Sequence, residues 1–514
     1  MLKKSTGSYT VGNFLKVAAV KYRDREAVFC SSTGRRYTFA ELNNRTNRLA
    51  NGLLDLGLKK GDVAAFLCTN RSEIVEIYFA LAKIGVMGVP LNYRLAPAEM
   101  IELIAHGEAA ALIFDPWFGE IAAGIKDALP QVKIFVGMGE KVPDFATDYE
   151  KLLAGSSPAE PEVEINEEDY QYMNLTSGTT GLPKSYLLTH YNNASAIPLF
   201  ASALDITERD VILTAFPAFG RVGFAWIFMG IFKGARNVIH QFNPQETLKL
   251  IQSEKVTISN WVPTMAAFIL AMPGVEEHDL GSLRGLVFAA APLTSNLREQ
   301  IKKRLCPNLY EYYGLQECGA LTVIKPDEKN RKPDSVGQVT FSCEVRLVDH
   351  QGRDAAPGEI GEIIARAPGS TAGYFKNEDK TAEAFKGGWF HTGDLGRFDE
   401  EGYLFLSGRG KDMIISGGQN VFAIEVEDMI LRHPGVSDCA VIGLPHDAWG
   451  EMVTAVCVKA PGADVVEEDL IRHCKEKIAG FKVPKKIIWH DAPLPRTPTG
   501  KVTKFVLVDR YSQD

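Results

Sequence analysis

The chain has 514 residues, 46% of them hydrophobic and 23% charged, with a formal net charge of −8 and a mean hydropathy of −0.06. These values exclude global disorder and a collagen-like fibre, and the length holds roughly three domains' worth of chain, enough for a large buried core. The acidic excess argues against nucleic acid as a partner, while leaving room for a local basic groove that takes a nucleotide.

The first residues, Met1-Leu2-Lys3-Lys4, carry two lysines but no apolar stretch behind them, so no secretory signal is expected. The 8 cysteines form no CxxC pair and no metal-like cluster, as suits a reducing cytoplasm. From about residue 60 to 315, short apolar runs alternate with segments of helical period. Strands are expected at Asp62–Cys68, Ala110–Asp115, Val211–Pro217, Val256–Val262 and Gly285–Ala291. Helices are expected at Arg71–Gly85, with Ile74, Tyr78 and Leu81 on one apolar stripe, and at Pro244–Lys255 and Ser295–Leu305. Such alternation predicts an α/β class of mainly parallel sheets covered by helices. The greasy run Trp261–Val275 is broken by Pro263 and Pro273 and reads as a core helix, not as an integral membrane segment.

After Gly314 the texture changes. Ser335–Asp349 and Gly358–Ala367 are rich in Val, Ile and turn residues and predict a β subdomain. A Gly-rich stretch then leads to Lys411, beyond which strands (Cys439–Gly443, Val453–Val458) and helices (Glu425–Leu431, Glu467–Lys477) suffice for a small α+β domain. The expected division is a large domain over 1–410 and a small, mobile C-terminal domain over 411–514, hinged at Lys411.

Chemistry concentrates in a few strings. Thr176-Ser177-Gly178-Thr179-Thr180-Gly181-Leu182-Pro183-Lys184 follows the apolar run Tyr172–Leu175. Its glycines let backbone N–H groups form an anion-binding nest, its hydroxyls add donors and its lysine adds charge. It nearly fits the GxxxxGK[ST] pattern, but Pro183 stands where the second glycine belongs and supplies no N–H. Tyr313-Gly314-Leu315-Gln316-Glu317 offers a carboxylate suited to Mg²⁺. Trp389-Phe390-His391-Thr392-Gly393-Asp394 places a carboxylate at an apparent strand end. Gly408-Arg409-Gly410-Lys411-Asp412 and Pro498-Thr499-Gly500-Lys501 complete the set.

These five strings, in this order, resemble the signatures of the adenylate-forming superfamily of acyl-CoA synthetases, peptide-synthetase adenylation domains and firefly-type luciferases, and the likeness runs over nearly the whole chain. The resemblance implies a phosphate loop at 176–184 with Lys184 catalytic, and Mg²⁺ on Glu317. It implies ribose contacts from Asp394 and Arg409, and a nucleotide site completed by Tyr313, Gln316, Ala291 and Pro292. Gln316 replaces the threonine usual there, so an amide takes the place of a hydroxyl. Lys501 is implied as the adenylation lysine, a mobile cation that reaches the carboxylate and the α-phosphate and then leaves with its domain. Gly417, Gly418 and Trp449 are implied to face CoA. The basic cluster Lys482, Lys485 and Lys486 beside Phe481 reads as a solvated face.

Around Gly220 there is no Asp or Glu to pair a substrate ammonium, which disfavours amino acids. Gly220 also replaces a histidine common in acyl- and aryl-CoA synthetases, and Arg221 beside it has no role that the sequence assigns. Gly220, Val222, Trp261, Ala290 and Gly314 are expected to line an apolar acyl pocket for a medium-chain, alicyclic or aromatic acid. The expected activity is an AMP-forming acid:CoA ligase, with ATP, Mg²⁺ and CoA as cofactors and co-substrates and a small carboxylic acid as partner. A homodimer is also entertained. The alternatives are an enzyme that loads a carrier protein, a luciferase-like monooxygenase and a non-catalytic nucleotide sensor on the same fold.

Overall fold

The computed structural model describes residues 9–176, 184–291, 293–416, 419–446, 449–497 and 501–512. Two large sheets dominate the first 340 residues or so. One has nine strands, built around the parallel set Val211–Thr214, Arg236–Ile239, Ile258–Trp261, Gly285–Phe288 and Leu309–Leu315. The other has eight strands and includes the parallel pairing of Val63–Leu67 with Met87–Pro90 and Ala111–Phe114. The expected α/β class holds, and the strands begin and end within a few residues of their expected bounds.

One apolar core draws on both sheets and on the helices Ser72–Ile84 and Arg221–Lys233. The stripe of Ile74, Tyr78 and Leu81 expected on the first of these is buried, and so are the rest of its 13 residues. A helix enclosed on every side must neutralise its charges internally. Glu73 pairs with Arg71 at 2.7 Å and Glu76 with Arg45 at 2.8 Å. The run after Trp261 contains the helix Pro263–Leu270, and among the described residues no helix is long and apolar enough to cross a membrane.

A five-stranded sheet follows, holding Glu344–Val348, Gly361–Arg366, Trp389–Phe398 and Leu404–Arg409. After the turn Gly410–Asp412 the chain enters a separate five-stranded sheet with its own core around Val421, Val426, Val441, Val453 and Leu470. The sheet changes at the turn that holds Lys411.

Candidate active-site cleft

A cleft of about 2530 Å³ opens where the strands of the nine-stranded sheet end. Phe216, Val262, Ala289 and Gly314 on its wall lie at or just past the carboxyl ends of four of those strands. Ligands of open α/β sheets bind at that edge, because the strands end there and the loops diverge.

The strand Tyr170–Thr176 runs antiparallel to Lys184–Thr189, with Thr176 opposite Lys184. A loop that returns into an antiparallel strand cannot present the helix N-terminus a Walker loop needs, which agrees with the objection raised by Pro183. Ser177, Gly178, Thr179, Thr180, Gly181, Pro292, Gly417 and Gly418 lie outside the described residues, as do the side chains of Thr176, Lys184 and Lys411.

Glu317 sits in the hairpin between Leu309–Leu315 and Gly319–Ile324. The hairpin is tight enough that a Cβ on Gly314 would meet the Gly319 carbonyl oxygen at 2.1 Å, and Gly319 itself has φ +78. Only glycine fits such positions. The Tyr374 hydroxyl donates to Glu317 Oε1 at 3.2 Å. Tyr374 belongs to a short strand paired with Lys184–Thr189, so one hydroxyl ties Glu317 to the element that leaves the phosphate loop. Burial pushes the Glu317 carboxyl above its ordinary value. The Tyr186 hydroxyl donates to Gln316 Oε1 at 2.9 Å, so the amide that replaces threonine is already engaged.

Arg221 has a clear place. It is 5% exposed, donates from Nη1 to the Gln316 carbonyl and from Nη2 to the Gly369 carbonyl at 2.7 Å. Burial lowers its pKa. The guanidinium clamps the hairpin that carries Glu317 to the 367–371 segment, where Thr371 N donates to the Glu317 carbonyl at 2.6 Å.

Asp394 lies within the strand Trp389–Phe398 and not at a strand end as expected. The preceding Gly393 has φ +71 yet lies inside this strand, so the Thr392-Gly393 pair does not end it. Asp394 faces Arg409 across the antiparallel pair, with Oδ1 3.0 Å from Arg409 Nε. Its Oδ2 accepts from the Tyr313 hydroxyl at 2.8 Å. Tyr313, Asp394 and Arg409, far apart in sequence, thus form one hydrogen-bonded row on the cleft wall.

On the other flank Gly220, Val222, Ala290, Ala291 and Gly314 line the cleft. Ala290 has φ +71, a strained conformation for alanine that places strain beside the cavity. Trp261 does not line it: the indole is fully buried in the core behind the sheet with Leu286 and Phe288, while Val262 and Pro263 reach the wall. Strand alternation turned the large residue inward.

Lys501 lies on the cleft from the C-terminal side, on a turn in which Thr497 N donates to the Lys501 carbonyl at 2.8 Å and Lys501 N donates to Thr497 Oγ1 at 3.2 Å. Trp449 is off the cleft wall. It stacks on His446 at 4.5 Å, with the Lys485 ammonium 5.7 Å from its ring centroid. Lys482 is paired with Glu425 at 2.5 Å. Sequence reasoning missed Tyr374 and Tyr186, which carry no motif of their own; only their pairing across strands brings them to Gln316 and Glu317.

The fold and this cleft define a nucleotide-activating enzyme with an accessory C-terminal unit. The family model for the AMP-binding enzyme matches residues 15–375, and that for the AMP-binding enzyme C-terminal domain matches 425–501. The chain belongs to the AMP-binding enzyme family. Among its relatives, a long-chain-fatty-acid–CoA ligase of Mycobacterium tuberculosis is 33% identical over 98% of both chains. A feruloyl-CoA synthase of Amycolatopsis is 34% identical over 93% of this chain and 94% of its own. The structure of ATP-bound MatB from Rhodopseudomonas palustris superposes with a TM-score of 0.89 at 31% identity, covering 98% of this chain and 99% of that one.

Proposed function

We propose that the chain is an AMP-forming carboxylic acid:CoA ligase acting on a hydrophobic acid of aromatic, alicyclic or medium-chain type, in the cytoplasm. The observation that carries this reading is the convergence on one cleft of the Tyr313–Asp394–Arg409 row, Glu317 and Lys501 beside an apolar wall.

In this reading Asp394 accepts hydrogen bonds from the ribose hydroxyls, and Arg409 supplies the adjacent positive charge. Tyr313 fixes Asp394 through its hydroxyl and offers its flat ring face for stacking on the base. The 176–184 loop and Lys184 hold the phosphates. Among the described residues no group of three or more metal-binding side chains occurs. Mg²⁺ keeps waters and takes one or two carboxylates together with substrate phosphates. Glu317, oriented by Tyr374, is the residue that would hold it, and the ion would supply charge neutralisation between two anions.

The substrate carboxylate attacks the α-phosphorus of ATP. The bond to pyrophosphate breaks and the acyl-adenylate forms. Lys501 neutralises charge on the attacking and departing oxygens. Rotation about the turn at Lys411 withdraws Lys501 and brings the face carrying Gly417, Gly418 and Trp449 to the cleft. The CoA thiol then attacks the acyl carbon and AMP leaves. The position of Trp449 off the cleft while Lys501 is on it suits an enzyme poised for the first step. Every residue invoked belongs to one chain, so a homodimer is not required.

The test is pyrophosphate release over a panel of carboxylic acids, with and without CoA. Acid-dependent release followed by thioester formation is the expected result. Release without thioester would point to a carrier protein or another acceptor, and no release with any acid would leave a nucleotide sensor.

A further inference from the structure

Most side chains on the acyl side of the cleft are apolar, and Tyr312 sets a hydroxyl among them. Tyr312 stands next to Tyr313 on the strand Leu309–Leu315, and alternation sends the two side chains to opposite faces. Tyr313 turns to Asp394. Tyr312 turns to the helix His190–Ala203, where its ring meets Phe200 edge-on at a centroid distance of 4.8 Å. Ile197, Phe200, Val222, Ala225 and Ala320 share this stretch of the wall with it.

Other tyrosines in and under the cleft have occupied hydroxyls. Tyr78 donates to the Ala218 carbonyl at 2.7 Å, Tyr172 to the Phe219 carbonyl at 3.4 Å, and Tyr186, Tyr313 and Tyr374 to Gln316, Asp394 and Glu317. Tyr312 differs. Burial alone raises its hydroxyl, with no hydrogen bond or charge contributing, and among the described residues no partner is found for it. Yet its side chain keeps part of its surface and lines the cleft, so that surface faces the cavity. Its hydroxyl is not among the buried polar atoms that lack a partner, so it is within reach of water while the cleft is open; a ligand that fills the cavity and expels that water must replace the hydrogen bond or leave the phenol unpaired. The adjacent Glu311 is paired with Lys329 at 2.5 Å, which leaves no free charge at that point of the strand.

We propose that Tyr312 reads the far end of the acid, its hydroxyl hydrogen-bonding an uncharged oxygen of the substrate, so that the preferred substrates are oxygenated aromatic or alicyclic acids and not plain hydrocarbon ones. This rests on the ligase reading above. A hydroxyl, methoxyl or carbonyl group satisfies the phenol, a methyl group leaves it unpaired, and a second carboxylate would be buried there without a counter-charge.

The test uses the full-length enzyme and pairs of acids matched in shape, such as ring-substituted phenylpropionates and cyclohexanecarboxylates bearing hydroxyl or methoxyl against methyl at the end distant from the carboxylate. Tyr312→Phe changes only the hydroxyl, and an unaltered KM for ATP and melting temperature serve as controls. In the wild type at least one oxygenated acid should exceed its methyl partner in kcat/KM by about 3- to 10-fold, the worth of one hydrogen bond. In Tyr312→Phe that preference should collapse while the methyl acid is turned over as well as before. A preference that survives in Tyr312→Phe, an equal loss on both acids, or a wild type indifferent to oxygen would each overturn the inference. Failure to turn over any acid would instead overturn the ligase reading, and this inference with it.

Discussion

The two flanks of the cleft are built on different plans. On the nucleotide flank, polar side chains hold one another before any ligand arrives: Asp394 is met by both Tyr313 and Arg409, Glu317 by Tyr374, and Gln316 by Tyr186 and Arg221. On the acyl flank small residues such as Gly220, Ala225, Ala290 and Ala320 leave volume and bring no polar side-chain atoms. A constant ligand rewards preorganised hydrogen bonds, whose geometry is set in advance. A variable one is selected by shape and by very few polar atoms. Arg221 joins the two plans, since it starts the helix of the acyl wall and clamps the Glu317 hairpin.

Four changes would break or sharpen this contrast. The largest effect is expected from Lys501→Ala, which should slow acid-dependent pyrophosphate exchange by about 100-fold or more. Thioester synthesis from preformed acyl-adenylate should be largely preserved, and equal loss of both half-reactions would refute the role given to Lys501. Asp394→Ala removes the shared partner of Tyr313 and Arg409 and should raise the KM for ATP by about 10-fold. The ranking of acids should not change, and a reordered acid profile would show that the flanks are not independent.

Ala225→Leu is the converse. Filling the acyl wall should lower kcat/KM for the bulkiest acids by about 10-fold, with the KM for ATP unaltered. The last change concerns stability away from both flanks. Burial pushes the imidazole of His190 down to about 4, and its Nδ1 accepts from Val11 N at 3.2 Å. Below about pH 6.5 the unfolded chain takes up a proton that the folded one refuses, so stability falls with pH until about pH 4, by about 3 kcal/mol at most. The melting temperature of the wild type should therefore drop more between pH 7 and pH 5 than that of His190→Gln.

The flank proposed to hold the nucleotide is the more compact in sequence: Tyr313 to Glu317 share one hairpin, and Asp394 and Arg409 face each other across one antiparallel strand pair. The acyl flank comes from separate helices and strands, and there the reading erred: Trp261 looks like a wall residue, yet alternation puts it in the core, while Tyr312, next to a recognised motif, reaches the cavity. On Ser72–Ile84 the expected stripe is buried, but periodicity reports one apolar face and cannot reveal that the polar face is enclosed too.

By itself the sequence determined the α/β class, the order of the elements and the residues whose chemistry suits nucleotide activation, because periodicity and turn chemistry are local properties. The tertiary structure decided which oxygens and cations meet, that Arg221 holds a hairpin, that Trp449 stands away from the cleft and that Tyr312 faces the cavity. Those outcomes depend on strand register and on packing between elements far apart in the chain, which no local pattern encodes.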